Sequence, residues 1–165
     1  MGMLFGKYQY RNEDIQRRGY SQTVEARADD GTTYWVKWIL GVQDSEDRVK
    51  VFQSRLRKYQ RVKHRAMPQL VEHGWDKEEK ALAMVYALVD GRPLGERLAE
   101  LKTVDVLAGL KDVGECLSAL HAEHGLAHGD LHPGNILVDG SGQFHVVDLG
   151  LAQLTHTLSQ EASLQ

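Results

Sequence analysis

The apolar positions of this chain change period as they run, and each change marks an element. Residues 8–28 form a strand-like stretch interrupted at Gly19, and the turn Asp29-Asp30-Gly31 leads into residues 32–40. That run, TTYWVKWIL, is dense in β-branched and aromatic side chains around one lysine, so a strand is expected. A two-residue period puts Lys37 on one face with Trp35 and Ile39, and Val36 with Trp38 on the other. The period then lengthens. Over residues 44–63, Val49, Phe52, Leu56, Tyr59 and Val62 recur at three- and four-residue spacings, which predicts a helix capped by Asp44 or Ser45, with Glu46 and Asp47 at its positive end.

Strand character returns at residues 70–72 and 81–89, separated by the charged turn 76–80. Asp90-Gly91-Arg92-Pro93 follows as a linker, and it is the expected boundary between a domain of residues 1–90 and one of residues 91–165. Beyond it the pattern predicts a short helix at 94–101. A longer one follows at 104–124, whose expected buried face is Val106, Leu110, Val113, Leu117 and Leu120. The apolar runs 136–138 and 144–147 then flank Asp139-Gly140-Ser141-Gly142, a hairpin signal.

Composition adds bounds. Hydrophobic residues at 42% and charged residues at 26% of a 165-residue chain describe a globular protein with one respectable core. A net charge of −3 provides no general case for nucleic acid, although local patches escape a global count. The most unusual run is basic: Arg48, Lys50, Arg55, Arg57, Lys58, Arg61, Lys63 and Arg65 make either a solvated face or a surface for phosphate, nucleic acid or an acidic partner. The single cysteine, Cys116, falls within an apolar helical pattern, as a small buried hydrophobe would, and fits a reducing, cytoplasmic setting. No signal peptide is legible at the start and no stretch reaches membrane-spanning length, so no membrane partner is expected.

The candidate chemistry lies in residues 128–150, HGDLHPGNILVDGSGQFHVVDLG. Phosphoryl transfer leaves a protein little covalent work; it needs a positioned carboxylate for the attacking hydroxyl and hard oxygen ligands for magnesium. Asp130 suits the first role, and Asn135 and Asp148, at the two ends of the hairpin, suit the second. His128, His132 and His145 also admit a zinc reading. Zinc requires three or four converging ligands, which a stiff loop around Pro133 disfavours, and His128 reads better as a framework residue bonded beneath the loop.

These residues resemble the catalytic core of the eukaryotic-like protein kinase superfamily, whose pattern is H-R-D, an asparagine at fixed distance, and D-F-G. His128-Gly129-Asp130 looks like the first triplet, Asn135 falls at the expected spacing and Asp148-Leu149-Gly150 looks like the last. The resemblance implies an α+β, protein-kinase-like fold: a complete small β-rich lobe over residues 1–90, and the first part of the helical large lobe over residues 91–165, ending inside the activation segment. It implies ATP and Mg2+ as cofactors, with Asp130 and Lys37 catalytic and Asn135 and Asp148 holding metal. Gly19, Lys37, Ala87 and Val89 would meet the nucleotide, the last two through a hinge over residues 86–91. Its implied partners are a protein substrate or regulatory protein, and the missing large-lobe segment or another chain to cover the long helix. Gly129 in place of the usual arginine removes a phosphate-sensing switch, and HGDLHPGN is also similar to the loop of aminoglycoside and other small-molecule kinases.

Three departures surround the expected nucleotide. Alignment on Val24 puts Arg17, Gly19 and Gln22 where the family has three glycines; Trp35 replaces a small alanine; and Arg55 stands where a glutamate would pair with Lys37. Two functions follow from the resemblance, an ATP- and magnesium-dependent phosphotransferase of the Ser/Thr protein kinase kind, or a catalytically impaired kinase-like binding module. A small-molecule hydroxyl kinase is a further alternative. The isolated chain is expected to be inactive.

Overall fold

The computed structural model describes residues 1–42 and 46–148. The chain forms two compact units, Met1–Arg61 with Gln69–Leu88, and Val62–Pro68 with the chain from Val89 onward.

The first unit is a seven-stranded sheet. Its strands are β1 (Gly2–Leu4), β2 (Tyr8–Tyr10), β3 (Gln16–Arg18), β4 (Ser21–Ala28), β5 (Thr33–Ile39), β6 (Leu70–Asp76) and β7 (Ala81–Ala87). They run in the order β1-β2-β4-β5-β7-β6, with β3 paired to β4, and every pairing is antiparallel. The expected single stretch over residues 8–28 is thus three strands, because the polar run after Tyr10 closes a short 3-10 turn at Asn12–Asp14. Arg11 reinforces that turn by donating from Nε to Asp14 Oδ2 at 2.7 Å.

One core cluster lies on one face of this sheet, where Leu4, Tyr8, Tyr10, Val24, Ala26, Val36, Trp38, Ala81, Ala83 and Val85 are buried together, and Ile39, Leu82 and Met84 are buried on the other face. Trp38 Nε1 donates to the buried Asp76 Oδ2 at 2.8 Å, so the largest core side chain leaves no donor unpaired. Asp76 Oδ1 also accepts from the N–H groups of Glu78 and Glu79, which ties the β6–β7 turn to the core. β6 extends four residues past the expected 70–72 because His73 and Gly74 pair with β7 despite weak strand propensity. Helix α1 (Glu46–Arg61) packs on β6 through Leu56 and Tyr59. It stops two residues short of the expected end, and Val62 is buried with the second unit; the proposed caps Asp44 and Ser45 lie outside the described residues.

The second unit contains β8 (Gly91–Pro93), α2 (Leu94–Arg97) with a 3-10 turn at Leu98–Glu100, α3 (Thr103–His124), β9 (Ile136–Asp139) and β10 (Phe144–Val146). The residues expected as a linker are therefore a strand, pairing with β9 in a sheet ordered β10-β9-β8. A glycine is needed there: a Cβ on Gly91 would lie 2.9 Å from the Val138 carbonyl oxygen.

α3 buries a stripe rotated from the expected one. Val113 and Leu120 are buried as expected and are joined by Gly109 and Cys116, whereas Leu110 is 43% exposed. Gly109 is the reason: its bare Cα admits the Phe144 ring, which turns the helix so that its small residues face β10. Burial pushes the Cys116 thiol up to about 11, the behaviour of a packed side chain rather than a nucleophile. The helix ends on Gly125 in the left-handed region at φ 60°, with its N–H donating to His121 and that of Leu126 to Leu120. Residues 62–68 join this unit by two bonds, from Val146 N–H to the Ala66 carbonyl at 2.8 Å and from Arg65 to Asp112 of α3.

Candidate functional site

Residues 128–148 form one hydrogen-bonded system built from the second unit's loops. Pro133 starts a 3-10 turn at Pro133–Asn135, and the Asn135 N–H donates to the His132 carbonyl at 2.9 Å. The turn carries Asn135 into the interior, where it is 8% exposed. Its Nδ2 donates to the Asp130 carbonyl at 2.9 Å and lies 3.4 Å from Asp130 Oδ2. The amide is thereby oriented, with Oδ1 at the end opposite Asp130.

Val147 fastens Asp148 to this loop. Its N–H donates to the Asn135 carbonyl at 2.9 Å, and its own carbonyl receives His128 Nε2 at 2.8 Å. His128, 3% exposed, accepts the Asp130 N–H on Nδ1 at 3.1 Å, so its proton resides on Nε2. One imidazole thus braces Asp130 on one side and the residue before Asp148 on the other. Asp148 adopts φ 62°, a left-handed conformation that aspartate tolerates better than most residues and that is concentrated at functional sites. Leu149 and Gly150, the rest of that motif, lie outside the described residues.

The Asp130 side chain is 58% exposed. His132 Nε2 lies 3.7 Å from Asp130 Oδ2, while His132 Nδ1 accepts the Gly134 N–H at 3.1 Å. The sequence pattern alone grouped His132 with two other histidines. Its two-residue offset from Asp130 in an extended loop was the overlooked signal. His145 belongs elsewhere, with Nε2 2.8 Å from Asp139 Oδ2 inside the hairpin.

Asp139 organises that hairpin. It accepts from the Ser141 hydroxyl at 2.6 Å and from the N–H groups of Ser141 and Gln143 at 2.9 and 3.0 Å. Burial works to raise its pKa, but Ser141, His145 and the two backbone donors outweigh it and hold the carboxyl well below the usual carboxylate range. The strands that position Asn135 and Asp148 are therefore clamped by an ionised group at their turn.

In the first unit Lys37 is 8% exposed on the regular strand β5. Register places Thr23 of β4 and Met84 of β7 directly across from it. No bulge interrupts either pairing, so Trp35 shares the Lys37 face as periodicity predicts, between Glu25 and Tyr86. Gly19 sits at φ 53° in the two-residue loop joining β3 to β4, the first position at which such loops favour glycine. Gln22 is 4% exposed on the core side with Val24, directed away from the Lys37 face, because Thr23 and not Gln22 pairs with Lys37. Arg55 is half-buried on α1, near enough to Tyr59 to oppose the rise that burial causes in its phenol. At the end of β7 the Ala87 N–H donates to the Gln69 carbonyl at 2.9 Å. In the second unit the Val89 carbonyl accepts from Gly91 N–H at 3.1 Å.

Comparison with known proteins gives the same direction. The family described as "Protein kinase domain" matches residues 12–164. Serine/threonine-protein kinase PknA of Mycobacterium tuberculosis (strain ATCC 25177 / H37Ra) is 37% identical over 79 residues, covering 46% of this chain and 18% of that protein. Serine/threonine-protein kinase 12 of Arabidopsis thaliana is 31% identical over 119 residues, covering 68% of this chain and 25% of its own length. This chain thus spans about a fifth to a quarter of those curated relatives. Among solved structures, the maize SIRK1 (sucrose-induced receptor kinase 1) kinase domain bound to AMP-PNP superposes with a TM-score of 0.71 at 24% identity, over 87% of this chain and 55% of that one. Rad53 1-466 in complex with AMP-PNP superposes with a TM-score of 0.74 at 22% identity, over 89% and 39%. Both show likeness of fold.

Proposed function

This chain belongs to the protein kinase domain family, and on that premise we propose that it provides the nucleotide- and metal-binding apparatus of an ATP- and magnesium-dependent phosphotransferase acting on serine or threonine hydroxyls. The observation that carries the reading is the clamp at Val147, which ties Asp148 to Asn135 and His128, and through them to Asp130.

Asn135 Oδ1 and the Asp148 carboxylate are the hard oxygen donors that magnesium prefers, and the bond from Asn135 Nδ2 to Asp130 keeps that amide the right way round. Magnesium bound there would neutralise charge developing on the phosphates. Asp130, held by its own N–H to His128 and by Asn135, orients the attacking hydroxyl and takes its proton. Lys37, on a rigid central strand, steadies the nucleotide phosphates. At the hinge, backbone groups of Ala87 and Val89 would meet adenine. The serine/threonine specificity is supported by the relatives' names; the HGDLHPGN loop supports a small-molecule hydroxyl as the other acceptor.

Titration of the chain with ATP by calorimetry, with and without magnesium, tests the reading. Magnesium-dependent binding that Asp148→Ala abolishes is the expected result; a folded chain that binds no ATP overturns it. Wherever transfer from labelled ATP is measured, on this chain or a longer protein containing it, Asp130→Asn should lower the rate by about 10²–10⁴ and leave ATP affinity nearly unchanged.

One observation favours a second reading, a nucleotide-poor binding module. Trp35 places an indole on the Lys37 face, where the family has a small side chain. Failure of ATP binding in the wild type together with its appearance in Trp35→Ala would establish that alternative.

A further inference from the structure

Helix α1 gathers four of its six cations on one side. At 3.6 residues per turn, Lys50, Arg57, Lys58 and Arg61 fall within about 100° of arc with Ser54 among them, and all five are exposed. The buried side, Leu56 and Tyr59, faces β6. The two acids of the helix, Glu46 and Asp47, occupy its first two positions, so no carboxylate occurs along the helix from Arg48 to Arg61. Among the described residues, Arg57, Lys58 and Arg61 form no ion pair.

The helix dipole accounts for cations in the last turn, Lys58 and Arg61. It does not account for Arg57 or Lys50, and like charges three or four residues apart repel. The Arg57 charge is felt across the packing interface: after burial, it is the second cause holding His73 of β6 below its ordinary pKa.

We propose that this stripe docks an acidic segment of another protein, one presenting carboxylates at helical three- and four-residue spacing. The match is in length and sign. From Lys50 to Arg61 the stripe runs about 16 Å, three turns of helix, and a partner helix of that length would set acids opposite Lys50 at one end and opposite Arg57, Lys58 and Arg61 at the other. A nucleic-acid duplex would extend well past this stripe over a chain of net charge −3. An anionic bilayer requires apolar anchors beside the cations, and Val51 is the one exposed large apolar residue among those described on α1. The proposal is independent of nucleotide binding.

The test uses the full 165-residue chain and fluorescence anisotropy at low salt. The probe is a labelled 14-residue peptide (about four turns) with glutamates at helical spacing, and the control has the same composition in scrambled order. We expect the patterned peptide to bind about tenfold more tightly than the control, to weaken as salt rises, and to lose its advantage in Arg57→Glu/Lys58→Glu/Arg61→Glu. Arg57→Gln/Lys58→Gln/Arg61→Gln should fall between, and provides the reading if charge reversal disturbs folding by circular dichroism. Equal binding of the two peptides, indifference to both variants, or tighter binding of a short DNA duplex or of phosphatidylserine vesicles overturns it.

Discussion

Single residues decide how the candidate site is held. His128 is the clearest case, since one neutral imidazole accepts from Asp130 and donates to Val147, and neither bond is visible in a string of letters. Trp35 is the opposite case: a two-residue period predicted its side of the strand, and the unbroken registers of β5 put it there. If the indole occupies space that a nucleotide needs, Trp35→Ala should tighten ATP several-fold in calorimetry while lowering stability by about 1–3 kcal/mol. An unchanged affinity would show that the ring lies outside the nucleotide's path. The spacing of Asp130 and Asn135 was legible because both sit in one short loop. The role of Val147 was not, because an ordinary valine acquires significance only from the backbone and side-chain partners that the fold brings to it.

At the scale of elements, the β9–β10 hairpin and its packing on α3 set where Asn135 and Asp148 stand. The hairpin was legible from Asp139-Gly140-Ser141-Gly142, but the charge clamp within it was not. Because Asp139 titrates lower in the folded chain than in the unfolded one, its contribution is complete above the ordinary carboxylate range and is lost as pH falls through the depressed folded value. Thermal melts from pH 7 down to pH 3 should therefore show Asp139→Asn destabilised by about 1–3 kcal/mol near neutrality, with the gap narrowing on acidification. A gap that widens instead would reverse the assignment. On the facing helix, Gly109→Ala places a methyl 2.5 Å from the Phe144 ring. Overpacking of about 1–3 kcal/mol should exceed the roughly 1 kcal/mol that alanine adds in helix propensity, so urea denaturation should give a net loss. A gain would mean that the ring moves aside freely. Periodicity missed this rotation because it counts large apolar residues, and here the contact is made by a missing side chain.

For the whole molecule, two compact units carry the family's parts, each with its own core, and among the described residues no helix is long and apolar enough to cross a membrane. A ligand that binds only the folded state stabilises it by mass action. Mg-ATP at a hundred times its dissociation constant should therefore contribute about 2.7 kcal/mol, raising Tm by roughly 5–10 °C, and Asp148→Ala should remove most of that rise. A flat melting temperature would count against nucleotide binding by this chain. The sequence by itself determined the strand-rich first part, the helix-rich second part and the spacing of Asp130, Asn135 and Asp148, because local periodicity and short-range spacing encode them. Only the tertiary structure decided that residues 62–68 belong with the second unit, that Gly91 begins a strand rather than a linker, that α3 turns on Gly109, and that Val147 binds the loop to Asp148. Each depends on a contact between residues far apart in the chain, and no local pattern records which distant backbone group or ring will be there to meet it.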